Sequence, residues 1–172
     1  GINDLEGGNI ATDSENNVLV TGGLLGTAIF GDAELSSEDT YVGFIAKCNS
    51  GGEWLWALSA SSEEISVLAD MVVDSTSNYK ISGYYVGDTT IGETILQDEG
   101  RFISGCDSFG NWLWVVDINC NVETSTRIEL DNHGNIIMVG EFSLSAVQFG
   151  EITLDRPEDY NFEIFVAKLN ND

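Results

Sequence analysis

A 13-residue pattern occurs three times in this chain, and this repetition limits the folds that the sequence can adopt. Each copy carries an aspartate at its fourth position, then polar turn residues, a short strand-forming run and a final glycine. The three copies span residues 10–22, 71–83 and 128–140. Self-similarity at a nearly constant period is typical of proteins that stack copies of one small unit. We therefore interpret residues 1–172 as one repeat array. Its units are approximately 1–60, 61–118 and 119–172.

Three further landmarks follow in a fixed order. The first is an apolar residue before a glycine, at 30–31, 91–92 and 149–150. The second is a phenylalanine that opens a short strand-forming segment, at 44–47, 102–105 and 165–168. The third is Trp-Leu-Trp, which follows the first two copies only, at 54–56 and 112–114. Asp, Asn and Gly favour turns, whereas β-branched and aromatic residues favour strands. Because no segment shows helical periodicity, the sequence predicts an all-β fold with about four antiparallel strands in each unit.

These landmarks resemble the repeat of the SBBP family, a group of bacterial and archaeal β-propeller proteins. The match is closest at residues 20–22, 110–114, 135, 140, 149–150 and 165–168. The second copy departs from the pattern, because Ser104 and Gly105 replace its Ala-Lys pair. The resemblance covers nearly the whole chain and implies four-stranded propeller blades on a secreted or cell-surface protein. It implies no activity and no catalytic residues.

The number of copies is small for a propeller. Closed propellers typically have 4 to 8 blades, and the third copy here has no Trp-Leu-Trp strand after it. We therefore expect either a part of a longer propeller or a chain that assembles with copies of itself. A compact threefold fold, a β-trefoil or a β-prism, is the alternative for three copies of about four strands.

The segment near the end of the third copy is predicted to be an open strand edge. Phe162, Ile164, Phe165 and Val166 are apolar and strand-forming, and no proline interrupts them. A strand without a neighbour exposes unpaired backbone N–H and C=O groups, which act as a template for another strand. We therefore expect self-association at this edge, or continuation of the array in a longer chain.

The charge of the chain excludes some partners. It has 29 acidic and 6 basic residues, which gives a formal net charge of −23. Such a surface repels phosphate backbones and anionic membranes, so we expect neither nucleic-acid binding nor membrane insertion. The first residues lack the basic and apolar regions of a signal peptide, so we expect a mature terminus or an excised fragment. The resemblance implies an extracellular or cell-surface location.

Few residues suggest catalysis or metal binding. His133 is the only histidine and lies in a predicted turn, which argues against a serine-type triad and against an enzyme. Asp13, Asp74 and Asp131 lie in oxygen-rich turns and are weak candidates for calcium ligands. Side-chain capping of the turn backbone is the favoured role for these aspartates, and no cofactor is expected.

Repeated tryptophans and cysteines suggest structural roles. Trp54, Trp56, Trp112 and Trp114 recur at equivalent sites, so we expect them to be largely buried and to pack one unit against another. A platform on which sugar rings stack is the alternative. Cys48 and Cys106 occupy the same place in two copies, and the sequence leaves the disulfide state of these two residues and of Cys120 open.

The sequence thus favours a non-enzymatic, extracellular structural or assembly protein. It would be a subunit of a cell-surface layer, of a filament or of a larger propeller. The alternative is a carbohydrate-binding, lectin-like adhesion module, in which glycans would be the partners.

Overall fold

The structure is a computed structural model that describes residues 4–118, 126–143, 146–149, 151–157, 161 and 163–170. Every regular element in these ranges is a β-strand, so the prediction of an all-β fold is confirmed. The strands are β1 (Asp4–Thr12), β2 (Val18–Phe30), β3 (Ala33–Cys48), β4 (Trp54–Ser62), β5 (Ile65–Val73), β6 (Tyr79–Val86), β7 (Thr89–Ile91), β8 (Thr94–Leu96), β9 (Glu99–Cys106), β10 (Trp112–Ile118), β11 (Arg127–Leu130), β12 (Ile136–Phe142), β13 (Ala146–Phe149), β14 (Ile152–Asp155) and β15 (Glu163–Leu169).

The strands pair as antiparallel meanders. In the first meander, β1, β2, β3 and β4 pair in chain order. The far ends of β2 and β3 form a hairpin extension beyond an irregularity between Leu24 and Gly26. In the second meander the order is β5, β6, β9 and β10, and the hairpin β7–β8 is inserted between β6 and β9.

The third meander has the same order with one strand fewer. It consists of β11, β12 and β15, and the hairpin β13–β14 is inserted between β12 and β15. Within the described residues, β15 pairs with β12 alone. The corresponding strands β3 and β9 each have a second neighbour, β4 and β10 respectively.

Short bridges join the first two meanders into one nearly closed sheet. Tyr41 of β3 pairs in parallel with Ile65 of β5, and the end of β4 pairs with β7. The hydrogen-bonded path therefore runs β10-β9-β6-β5-β3-β4-β7-β8. Its two ends approach each other where Gly92, with a φ of 61°, lies against Trp112. A Cβ atom at Gly92 would lie 3.0 Å from the Cβ of Trp112, so this contact needs a glycine. The arrangement is propeller-like.

Of the buried apolar clusters in the described part of the chain, one lies within the first meander and two lie between meanders. One buried cluster combines Ile45 of the first meander with Tyr79 and Phe102 of the second. Another combines Ile103 of the second meander with residues of the third, including Phe165. Neighbouring positions on β9 thus face opposite ways, because side chains alternate along a strand. The second meander thus presents one face to the first meander and the other face to the third.

Equivalent residues show which faces are covered. Ile45, Ile103 and Val166 follow the landmark phenylalanine in the three copies, and their exposed fractions are 0%, 0% and 70%. The first residues of the three patterns, Ile10, Met71 and Ile128, are exposed by 69%, 3% and 5%. The outer faces of the first and third meanders, which we call the two end faces, therefore present apolar residues that are buried in the other copies.

The burial difference predicts unequal losses of stability. Ile103→Ala should lower the free energy of unfolding by about 2 to 5 kcal/mol, because it leaves a cavity between two packed meanders. Val166→Ala should change it by no more than about 0.5 kcal/mol, because the side chain is exposed. Urea denaturation of dilute protein measures both values. Equal losses would contradict the packing of Ile103 against the third meander.

Candidate functional site

The aspartates of the three patterns cap tight turns. The Oδ1 atom of Asp13 accepts hydrogen bonds from the backbone N–H groups of Glu15 and Asn17, at 2.9 Å each. Asp74 and Asp131 bind the turn amides two and four residues further on in the same way. Short polar side chains commonly stabilise turns by such local bonds. The capping role that the sequence suggested is therefore present at each of these aspartates.

A lysine lies against each of these carboxylates. The distances from Nζ to Oδ2 are 2.9 Å for Lys47–Asp13, 3.2 Å for Lys80–Asp74 and 2.6 Å for Lys168–Asp131. Each carboxylate thus has turn amides on one oxygen and an ammonium group on the other. Among the residues that the structure describes, no group of three or more His, Cys, Asp or Glu side chains is placed to hold a metal ion. Calcium binding at these turns stays a prediction.

The lysine of the second copy comes from a different strand. Lys47 and Lys168 belong to the Phe-x-Ala-Lys landmark, but Gly105 stands in that position in the second copy. Lys80 is the partner of Gly105 in the register of β6 and β9, and its side chain reaches Asp74 instead. The ring of Trp114 lies over Gly105, with the Lys80 ammonium 5.8 Å from the ring centroid. The second copy therefore also has an aspartate–lysine ion pair, but its lysine lies on the neighbouring strand β6.

The Lys47–Asp13 pair is almost completely buried and also joins two meanders. Lys47 Nζ donates hydrogen bonds to the Oη of Tyr79, at 2.9 Å, and to the carbonyl oxygen of Ser108, at 3.2 Å. Burial alone would raise the pKa of Asp13, but hydrogen bonds from Asn17, from Lys47 and from the turn amides outweigh it and lower the pKa to about 2. Burial likewise opposes the charge of Lys47, yet bonds to Tyr79 and Asp13 raise its pKa.

A hollow of about 490 Å³ opens beside this ion pair. Phe109, which is 81% exposed, and Trp56 contribute aromatic rings to it, and Asn17 and Ser77 contribute polar groups. The Nε1 atom of Trp56 donates a hydrogen bond to the Ser108 carbonyl at 3.3 Å. The hollow thus combines aromatic and polar side chains from the first two meanders.

The four tryptophans have different surroundings. Trp56 crosses between meanders, with its ring centroid 6.0 Å from that of Tyr79. Trp54 packs edge-on against Phe30 of its own meander, at 5.0 Å, and Trp114 packs over its own β9. Trp112 is partly buried beside the first core cluster. Trp54 and Trp114 are 37% and 36% exposed, so the prediction of extensive burial is wrong for these two.

The predicted open edge lies at β15. Ile164 and Val166 are exposed there, whereas Phe165 is buried against Phe142 and Phe149. The backbone of Phe165 belongs to the edge, but its side chain belongs to the core. Phe162 lies outside the described residues.

An apolar groove of about 510 Å³ runs along this edge. Its walls come from three elements, which are β10, the hairpin β13–β14 and β15. The lining residues are Val116, Asp117, Ile118, Gln148, Phe149, Ile152, Leu154, Val166, Ala167, Lys168 and Leu169.

Cys48 and Cys106 are free thiols, and burial raises the pKa of Cys106 to about 12, which makes it a poor nucleophile. Cys120 lies outside the described residues. His133 is an exposed turn residue whose backbone N–H donates to Asp131.

Sequence reasoning missed a polar contact between the inner strands. Asn9, Asp70 and Arg127 each lie four residues before a turn aspartate, on β1, β5 and β11. The buried Asp70 carboxylate accepts a hydrogen bond from the Asn9 side chain and another from the backbone N–H of Ile128, at 2.9 Å. The Arg127 guanidinium lies 3.7 Å from it. The shared position of these three residues in the repeat was the sequence signal for this contact, but their residue types differ.

Comparison with known proteins adds one relative. The chain is 26% identical over 161 residues to an uncharacterized WD repeat-containing protein, L264, of Acanthamoeba polyphaga mimivirus. The similarity covers 81% of this chain and 12% of that protein's length, so the chain corresponds to a small part of it. No family model matches the chain. None of the described residues belongs to a helix that is long and apolar enough to cross a membrane. A propeller-type repeat fold is supported by this relative and by the nearly closed sheet.

The buried ion pair predicts a pH-dependent effect. Asp13→Asn keeps the oxygen that caps the turn but leaves the Lys47 charge buried, so we expect a loss of about 3 to 5 kcal/mol at pH 7. Asp131→Asn is the matched control, and its loss should be much smaller because Lys168 is half exposed. The pKa of Asp13 in the folded protein, about 2, is below its ordinary value of 3.8. Its stabilisation is therefore complete above pH 3.8 and is lost as the pH falls towards 2.

Urea denaturation from pH 7 down to pH 2.5 measures this effect. The difference in stability between wild type and Asp13→Asn should shrink below pH 3.8. A difference that is equal for both aspartates, or that does not change with pH, would refute the assignment.

Proposed function

We propose that this chain is a non-enzymatic assembly module, made of three consecutive blades of an SBBP-like propeller array. It works outside the cell or at the cell surface, as a subunit of a layer, a filament or a larger propeller. The observation that supports this most is the exposure of Val166, at 70%, beside its buried equivalents Ile45 and Ile103, at 0% each. A residue of the same type is buried wherever another meander follows it.

The two end faces are suited to each other. Ile45 and Ile103 pack against the meander that follows, and Met71 and Ile128 are buried in the meanders that follow the first one. Val166 and Ile10 are the equivalent residues on the two end faces. The outer face of the third meander therefore carries the residue type that packs against a following meander. The outer face of the first meander carries the type that packs against a preceding one. Because the two faces differ, the contact runs head to tail, which gives either a closed ring or a filament.

A change on one end face tests this proposal. Wild-type protein should show an average mass above 18.6 kDa that rises with concentration, as measured by sedimentation equilibrium. Salt should favour association, because the −23 charge opposes contact between copies and is screened at about 8 Å in 0.15 M salt. Val166→Asp should shift the protein to the monomer, since it puts a charge into the apolar contact.

Ile95→Asp is the matched control for this test. Ile95 is an exposed β-branched apolar residue like Val166, but it lies on the inserted hairpin of the second meander and not on either end face. This variant should associate like the wild type. A wild-type protein that stays at 18.6 kDa up to its solubility limit, in both low and high salt, would refute the assembly module.

Glycan binding is a second candidate, favoured by the hollow beside Phe109. Sugar rings stack on aromatic faces, and their hydroxyl groups bind amide, hydroxyl and carboxylate groups such as those of Asn17 and Ser77. The carboxylates of Asp13 and Glu15 in its lining favour neutral over anionic sugars.

A glycan array tests this alternative. Binding to one class of neutral glycan that Phe109→Ala abolishes and Ile95→Ala leaves intact would support it. The absence of reproducible binding to any glycan class would exclude it.

A further inference from the structure

Five turns of this chain share one geometry. In each of them the side-chain oxygen of the first residue accepts hydrogen bonds from the backbone N–H groups two and four residues later. The N–H of the fourth residue donates to the carbonyl oxygen of the first. This shared geometry uses only the backbone N–H of the third residue, so the turn does not determine which residue type stands there. The third residue is exposed in all five turns, in which it is Glu15, Gly51, Thr76, Phe109 and His133.

Three of these third residues line the hollow of about 490 Å³ beside the buried ion pair. They are Glu15, Thr76 and Phe109, and they come from three different turns of the first two meanders. A hydrogen bond of 2.8 Å between the hydroxyl groups of Ser14 and Ser77 joins the turns that carry Glu15 and Thr76. The hollow therefore lies where positions that the fold leaves variable meet.

The turn that carries Phe109 is held against the first meander. The Nε1 atom of Trp56 donates a hydrogen bond to the carbonyl oxygen of Ser108, and Gly110, with a φ of 88°, lies against the Trp56 ring. A Cβ atom at Gly110 would lie 3.0 Å from Cδ2 of that ring. Phe109 lies between these two anchored residues, yet it is 81% exposed, the largest fraction among the large apolar side chains that the structure describes. Its ring is thus fixed at the hollow without being part of the core.

The charges that line the hollow do not balance. The ammonium group of Lys47 pairs with Asp13 and donates its other hydrogen bonds to Tyr79 and Ser108. In the described part of the chain, no ion pair includes Glu15, whose side chain is exposed. One ammonium group against two carboxylates leaves a net charge of −1 in the lining, and the whole chain carries −23. The electrostatic potential at the hollow therefore favours a cation.

An exposed aromatic ring beside a carboxylate suits a guanidinium group. This group is planar, stacks on aromatic faces, is more weakly hydrated than an ammonium group, and has N–H donors that match a carboxylate. Phe109 provides the ring and Glu15 the carboxylate, and Leu55, which is 50% exposed, provides an apolar surface for methylene groups. We propose that the hollow binds an arginine side chain of a basic peptide segment, with its guanidinium group stacked on Phe109 and paired with Glu15.

The glycan candidate would occupy the same hollow, but the lining favours the arginine side chain. A neutral sugar uses Glu15 only as a hydrogen-bond acceptor, whereas a guanidinium group also neutralises its charge. The inference does not depend on assembly of the chain, because the lining contains neither Ile10 nor Val166.

Two peptides that differ in one functional group test the proposal. Acetyl-Gly-Arg-Gly-amide is titrated into the isotope-labelled 172-residue chain and followed by nuclear magnetic resonance. The second peptide contains citrulline, which has the shape of arginine but no charge. The arginine peptide should shift the indole N–H signal of Trp56 and the amide signals of residues 107–111 saturably, with one site per chain. The citrulline peptide should bind more weakly by about tenfold or more.

Matched variants locate the binding site. Phe109→Ala and Glu15→Gln should each weaken binding of the arginine peptide by about fivefold or more, and both side chains are exposed, so the fold should be kept. His133→Ala changes the third residue of a turn outside the hollow, and Glu93→Gln removes one negative charge from an exposed site outside it. Both control variants should bind the peptide like the wild type.

Four outcomes would overturn the proposal. These are no saturation up to about 10 mM peptide, equal binding of the citrulline peptide, no loss for Phe109→Ala, and the same loss for Glu93→Gln as for Glu15→Gln. A neutral glycan that shifts the Trp56 signal and is not displaced by the arginine peptide would also overturn it, and would assign the hollow to the glycan candidate.

Discussion

The requirement that both faces of each meander be covered determines most of this structure. A β-meander of apolar, alternating strands has two faces, and each face must pack against something apolar to be stable in water. Ile45 meets this requirement for the first meander and Ile103 for the second, since both are completely buried in clusters shared with the next meander. Every added meander covers one face and exposes another, unless the stack closes into a ring. The exposed side chains of Ile10 and Val166 are the result at the two end faces.

Polar contacts between strands accompany this apolar packing. Asp13, Asp74 and Asp131 each hold their turn amides and a lysine, and the Lys47 contact extends to Tyr79 and Ser108 of the next meander. The second copy shows which part of this arrangement is required. Gly105 removes the usual lysine, and Lys80 supplies the charge from the adjacent strand. The electrostatic balance at the turn is therefore kept, whereas the strand that provides the cation is free to change.

The sequence predicted those features that depend on local signals. Turn aspartates, strand-forming runs and Trp-Leu-Trp segments are each read within a few residues, and the resulting all-β fold and the capping at Asp13 are present in the structure. The surroundings of Trp54 and Trp56 differ although the two residues are neighbours in one motif, because the contacts depend on which meander lies opposite each face. The role of Lys80 in place of a lysine at position 105 was hidden for a similar reason, since it depends on the register between β6 and β9.

The Asp70 carboxylate has a consequence for how such an array unfolds. Proteins made of stacked repeats usually contact only their nearest neighbours, so that they can lose structure from one end in steps. Asp70 binds Asn9 of the first meander and the backbone of Ile128 of the third, and it lies in the second. One buried anion thus links two units that are not adjacent in the chain. Fraying of the first or the third meander would break a hydrogen bond to the buried Asp70 carboxylate. The free-energy cost of opening one terminal meander is therefore shared by all three meanders. The array should therefore behave as one cooperative unit despite its repeated sequence.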